Sequence, residues 1–125
     1  LAPQDLPGYL AHDVSVALRY FPDGSDAAFA EAFGADRARE GETLGRLLAP
    51  FGMGHPNLRR FLGRIKNPAL VVWGRQDALV PVAYAEDFGR GIAGSRVEVI
   101  DDCGHAMAAD QPERTWAAVS GFLAG

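Results

Sequence analysis

The sequence predicts an α/β protein: a strand–helix–strand–helix unit of a parallel sheet, preceded by a purely helical region, the two together forming an incomplete domain. Two observations carry this. Residues 69–73 (Ala-Leu-Val-Val-Trp) form an unbroken apolar run ended by Gly74, the pattern of a strand covered on both faces in a parallel sheet. Before residue 66 the apolar positions instead recur at helical spacing and are punctuated by Gly and Pro.

The helical region is assigned to residues 1–66 and the βαβα portion to 67–125. In the first region, Leu10, Val14, Leu18 and Phe21 share one face of a predicted helix. Phe29 and Phe33 mark a second helix that Gly34 is expected to end, and Leu44, Leu47, Leu48 and Phe51 mark a third. Pro56 suits the first turn of a fourth, with Leu58, Phe61, Leu62 and Ile65 as its apolar face. After the first strand, Pro81 opens a helix with Val82, Ala85, Phe88 and Ile92 facing inward, closing at Gly94. The second strand is Arg96–Ile100, where Glu98 implies a wetter face, as at a sheet edge. Asp110 and Glu113 have the spacing of a capping box before the last helix, whose stripe is Trp116, Val119 and Leu123.

A βαβ crossover is right-handed with parallel strands. Two strands cannot cover their own edges and faces, and the N-terminal helices offer no third. The opening LAPQDLPGYL carries no start signal. The expectation is that the rest of the sheet lies in a missing N-terminal half, a partner of this chain.

Composition narrows the function. With 125 residues, 48% hydrophobic and 22% charged, the chain is ordinary globular material. A net charge of −4 without a Lys/Arg run argues against nucleic acid as partner. No apolar run approaches the roughly 20 residues of a membrane span, and no signal-peptide pattern opens the chain. The lone Cys103 permits no internal disulfide and no cysteine-rich metal site. It suits a reducing compartment, and the expected location is cytoplasmic. No His, Asp and Glu triplet has metal-ligand spacing, so no metal is predicted.

Chemistry in open parallel sheets gathers beyond the carboxyl ends of the strands. The first strand exits into Gly74-Arg75-Gln76-Asp77 and the second into Asp101-Asp102-Cys103-Gly104-His105. These exits share one sheet edge, which brings Asp77 within hydrogen-bonding reach of His105. A carboxylate on one imidazole nitrogen fixes the tautomer and leaves the other as a general base. Asp101 and Asp102 are rivals for the acid role, but they share the loop of His105 and reach its ring poorly. Cys103 could pass for a nucleophile but lacks an activating context, and it reads as a small buried residue. His12 and His55 suit solvent-facing or capping roles, and Trp73 suits the core.

From Pro68 to Phe122 the chain resembles the C-terminal portion of the α/β-hydrolase superfamily, through PALVVWGRQDALVP, RVEVIDDCGHAMAADQPE and the closing amphipathic helix. The resemblance implies a triad acid at Asp77 and a triad histidine at His105, 28 residues apart (105 − 77). It implies that residues 1–66 form most of a helical lid, whose end HPNLRRFLGRI resembles, and that Asp110 stands where relatives often carry Glu. The family's nucleophile sits on a Gly-x-Ser-x-Gly turn, or the same turn with Asp or Cys. None of Ser15, Ser25, Ser95 or Ser120 has that context, so the nucleophile and oxyanion hole are expected in the missing half and the isolated chain is expected to be inactive. The implied activity is a cofactor-independent hydrolase of a small or medium apolar ester-like substrate. Phe51, Met53 and Met107 are expected to line the acyl pocket. Esterase, C–C bond hydrolase, lactonase, epoxide hydrolase and dehalogenase chemistries all fit. The alternative is a non-catalytic ligand-binding or receptor protein on the same scaffold.

Overall fold

The computed structural model describes residues 6–20, 23, 25–50 and 54–125. Seven helices and two strands run through them in the order α1 (Leu6–Leu10), α2 (Val14–Leu18), α3 (Ala27–Leu48), α4 (Leu58–Leu62), β1 (Leu70–Gly74), α5 (Ala83–Gly91), β2 (Arg96–Ile100), α6 (Met107–Asp110) and α7 (Pro112–Leu123). The two strands pair in parallel, with Leu70 opposite Arg96 and Gly74 opposite Ile100. Both therefore end level, at the same edge of the sheet. Helices α5 and α7 pack against both strands. The sheet is the predicted βαβα unit, and no third strand occurs among the described residues.

That explains the burial of β1. Its Leu70–Trp73 run, written for cover on both faces, is only half-buried here, because two strands and two helices leave part of it bare. The enclosed core is correspondingly small: Ala85 and Ile92 at α5, Ile100 and Cys103 at the end of β2 and Ala118 on α7 sit at the sheet, Leu62 of α4 lies against α5, and Ala11 and Ala17 are buried in the N-terminal helical segment.

The N-terminal helices depart from prediction at their joints. The first predicted helix is two short ones, because Asp13 accepts a hydrogen bond from the Ser15 amide and starts α2 afresh. The second and third are one. Helix α3 runs straight through Gly34, capped by Asp26, which accepts from the Phe29 amide. A glycine costs a helix only about 1 kcal/mol relative to Ala, and three i,i+3 or i,i+4 ion pairs (Arg39–Asp36, Arg37–Glu40, Arg46–Glu42) follow it. Pro56 lies in a turn just ahead of α4, not in its first turn. Of the predicted apolar face, Leu62 is buried while Leu58, Phe61 and Ile65 are exposed. Phe21, Phe51 and Met53 lie outside the described residues.

The C-terminal elements keep closer to prediction, with three corrections. Helix α5 ends at Gly91, ahead of Gly94. Asp110 does not cap the last helix. It is the final residue of α6, while Gln111 occupies the cap position of α7 and Pro112 its first turn. The carboxylate is drawn away by backbone amides elsewhere. On α7, Trp116 and Leu123 are exposed and Ala118 is the buried residue, so the predicted stripe is not what this chain covers. No helix among the described residues is long and apolar enough to cross a membrane.

Candidate active site

The level ends of β1 and β2 place two loops side by side, and backbone hydrogen bonds lock them together. The Arg75 amide donates to the Ile100 carbonyl at 2.9 Å, and the Gln76 amide to the Cys103 carbonyl at 2.9 Å. The Gln76 side-chain oxygen in turn accepts from the Cys103 amide at 3.1 Å. Two glycines make this approach possible. A Cβ on Gly74 would lie 2.2 Å from the Gly104 carbonyl oxygen and 2.5 Å from that of Cys103. One on Gly104 would lie 2.6 Å from the His12 nitrogen. Backbone atoms cannot swing aside as a side chain can, so both positions require glycine.

Across this junction the His105 Nδ1 and Asp77 Oδ2 are 2.9 Å apart. Asp77 is anchored by its own turn, since Oδ1 accepts from the amides of Leu79 at 2.9 Å and Val80 at 2.8 Å. Each carboxylate oxygen thus has a fixed task, one on the backbone and one on the histidine. The Asp77 side chain is 4% exposed and that of His105 41%. A buried carboxylate holds Nδ1, and Nε2 is the nitrogen left to act. The Trp73 indole donates to the Val80 carbonyl at 3.0 Å and its ring meets Phe88, which steadies the acid turn from below.

Neither rival acid is hydrogen-bonded to His105. Asp101 pairs with Arg75, whose guanidinium holds that carboxyl below its ordinary range. Asp102 adopts φ 56° in the turn after β2, and its carbonyl accepts from the Gln111 side chain at 2.9 Å. Cys103 is fully enclosed, and burial pushes its thiol up to about 11. A thiol so protonated is no nucleophile. Among the described residues, no His, Cys, Asp and Glu cluster could hold a metal ion.

A cavity of about 100 Å³ lies beside the pair, lined by Val72, Trp73, Gly74, Asp77, His105 and Met107. Met107 also faces a larger groove of about 500 Å³, walled almost wholly by apolar atoms from Leu10, Ala17, Tyr20, Ala106 and neighbouring alanines of α6. Of the predicted lining residues, Met107 is beside the pair, whereas Phe51 and Met53 lie outside the described residues. Several contributors were not legible in sequence. The Leu79 and Val80 amides, Gln76 and Asp110 act on or through backbone, which leaves no mark in residue spacing. Leu10, Ala17 and Tyr20 reach the groove only because α1 and α2 fold back beside α6.

Residues 17–112 match the family model described as alpha/beta hydrolase fold. The chain belongs to the α/β-hydrolase fold family. It is 34% identical over 68 residues to monoacylglycerol lipase ABHD6 of Mus musculus, a match covering 54% of this chain and 20% of that protein. It is 44% identical over 50 residues to the 2-hydroxy-6-oxononadienedioate/2-hydroxy-6-oxononatrienedioate hydrolase of Klebsiella pneumoniae, covering 40% of this chain and 17% of that enzyme. Among solved structures it resembles a serine hydrolase involved in carbazole degradation, with TM-score 0.64, 30% identity, and coverage of 73% of this chain and 34% of that one. A membrane phospholipase A shares the fold at TM-score 0.68 and 21% identity, with coverage of 98% and 37%. The matched region spans about a fifth of these curated relatives' length and about a third of the structural ones. The relatives are hydrolases, and the α/β-hydrolase family's two parallel strands here constitute part of a domain.

Proposed function

We propose that this chain supplies the acid and base of a cofactor-independent hydrolase of small or medium apolar esters, in which His105 is the general base and Asp77 its orienting acid. The observation that carries the reading is the hydrogen bond between a nearly buried Asp77 and the half-exposed His105, at the level ends of two parallel strands. The nucleophile is a serine in a part of the polypeptide outside these 125 residues, and the isolated chain is inactive. With Asp77 on Nδ1, His105 takes the serine proton through Nε2 as the serine oxygen bonds to the acyl carbon. The imidazolium then returns that proton to the leaving group as the ester C–O bond breaks. A second cycle, with water as the attacking group, releases the acid.

Two further observations support the substrate class. The groove that begins at Met107 is almost wholly apolar, and a relative at 34% identity is a monoacylglycerol lipase. The 44% match to a C–C bond hydrolase supports the same acid and base acting on a different leaving group. Residues 1–66 are then the lid region, from which Leu10, Ala17 and Tyr20 wall this groove.

In the complete protein, His105→Ala lowers kcat/KM for p-nitrophenyl butyrate by at least about 10³-fold. A variant that keeps most of its activity overturns the assignment of the base. Ligand-induced stabilisation of the wild type without any product would instead make the protein a binding module on the hydrolase scaffold.

A further inference from the structure

Asp110 lies on the short helix that follows His105, and its side-chain partners are backbone amides. Oδ2 accepts from Gly104 at 2.7 Å and from His12 at 2.6 Å, while Oδ1 faces the Asp13 amide at 3.4 Å. One carboxylate thereby joins the amide of Gly104, the residue before His105, to the loop between α1 and α2. On the other side of His105, the Ala106 amide donates to the Leu10 carbonyl at 2.5 Å. The amides of the residues on either side of the histidine, Gly104 and Ala106, are therefore tied to the same 10–13 segment, one through Asp110 and one directly.

The fit between these segments is tight. A Cβ on Gly104 would meet the His12 nitrogen at 2.6 Å and the Ala11 carbonyl carbon at 2.8 Å, and Ala11 is buried. Asp110 reaches both amides because the two backbones pass in direct contact. Hydrogen bonds from backbone N–H groups to a carboxylate are charge-assisted and about twice as strong as neutral ones. The donors cannot rotate away, unlike those of a side chain. With a ring that is 41% exposed, the direction of His105 Nε2 depends on where its backbone is held and on Asp77.

We propose that Asp110 is a positioning residue for His105, acting through the Gly104 amide and coupling the histidine loop to the 10–13 segment. The inference rests on His105 being the base, and the test separates the two. In the complete protein, Asp110→Ala, Asp110→Asn and Asp110→Glu are compared with His105→Ala. The readouts are kcat and KM for p-nitrophenyl butyrate, the urea midpoint, and the downfield proton resonance of the His105 Nδ1–H bonded to Asp77.

Asp110→Ala is expected to lower kcat about 10- to 100-fold with KM changed less than about twofold, since small displacements of a catalytic group act mainly on the reacting geometry. The Nδ1–H resonance shifts or broadens in a protein that remains folded. Asp110→Asn moves the same way by less, and Asp110→Glu, which keeps the carboxylate, recovers most of kcat. A lower urea midpoint with unchanged kcat and resonance makes Asp110 merely structural and overturns the proposal, provided His105→Ala is inactive. If Asp110→Ala does not fold, the same readouts on Asp110→Asn decide. If His105→Ala is itself active, the reading of the base fails, and this proposal falls with it.

Discussion

Gly74→Ala tests the link between the sheet and the site, because a single methyl group strikes the junction that holds Asp77 beside His105. The added Cβ would lie 2.2 Å from the Gly104 oxygen, 2.5 Å from the Cys103 oxygen and 2.8 Å from the Cys103 carbonyl carbon. All three are backbone atoms, so relief requires the two loops to part until contacts now at 2.2 Å exceed 3.0 Å. The Gln76–Cys103 backbone bond and the 2.9 Å Asp77–His105 bond span the same gap, and both must lengthen. Overpacking of this kind costs about 3 kcal/mol, which lowers the urea midpoint of the complete protein by about 1 M. Misplacing a catalytic pair on this scale costs about 100-fold in kcat. The assay is a urea melt alongside ester hydrolysis of the purified variant. Gly34→Ala is the control, since its Cβ meets nothing within 4 Å in the interior of α3. That change should leave kcat alone and raise stability by up to about 1 kcal/mol. A Gly74→Ala protein with unchanged midpoint and kcat would show that the loops are not held as described, and the reasoning from close approach would fail.

Asp77→Asn should preserve the fold, because Asn keeps an oxygen for the Leu79 and Val80 amides. It presents an N–H toward His105 Nδ1 and so imposes the wrong tautomer. An expected loss of about 10⁴-fold in kcat, with the urea midpoint little changed, distinguishes this from unfolding; an active variant removes the acid role. Cys103 should resist a thiol reagent at about pH 8 in the native protein and react once denatured. Its thiol is raised from 9.0 to about 11, so the folded state holds the proton that the unfolded state releases. The associated stability is complete below about pH 9 and is lost as pH rises toward about 11. Urea midpoints across that interval should fall less steeply in Cys103→Ala than in the wild type. Equal slopes would show that the thiol does not report burial.

What the sequence determined by itself was whatever depends on short-range pattern. The β1 run, the β2 bounds at Arg96–Ile100 and the intervening α5 follow from apolar periodicity and Gly/Pro punctuation within a few residues. Once two strands are parallel and level, the proximity of Asp77 and His105 follows from topology, since both residues leave the same edge. The tertiary structure decided the rest, where the partner is remote or is backbone. Asp110 looked like a cap for the helix beside it, yet its oxygens serve the amides of His12 and Gly104, because those amides lie within reach only after the 10–13 segment folds across the histidine loop. Gly74 and Gly104 carry no sign of their role until the carbonyls and amides they admit are in place. Spacing along a chain records which side chains share a face; it does not record which distant backbone will pass within hydrogen-bonding distance.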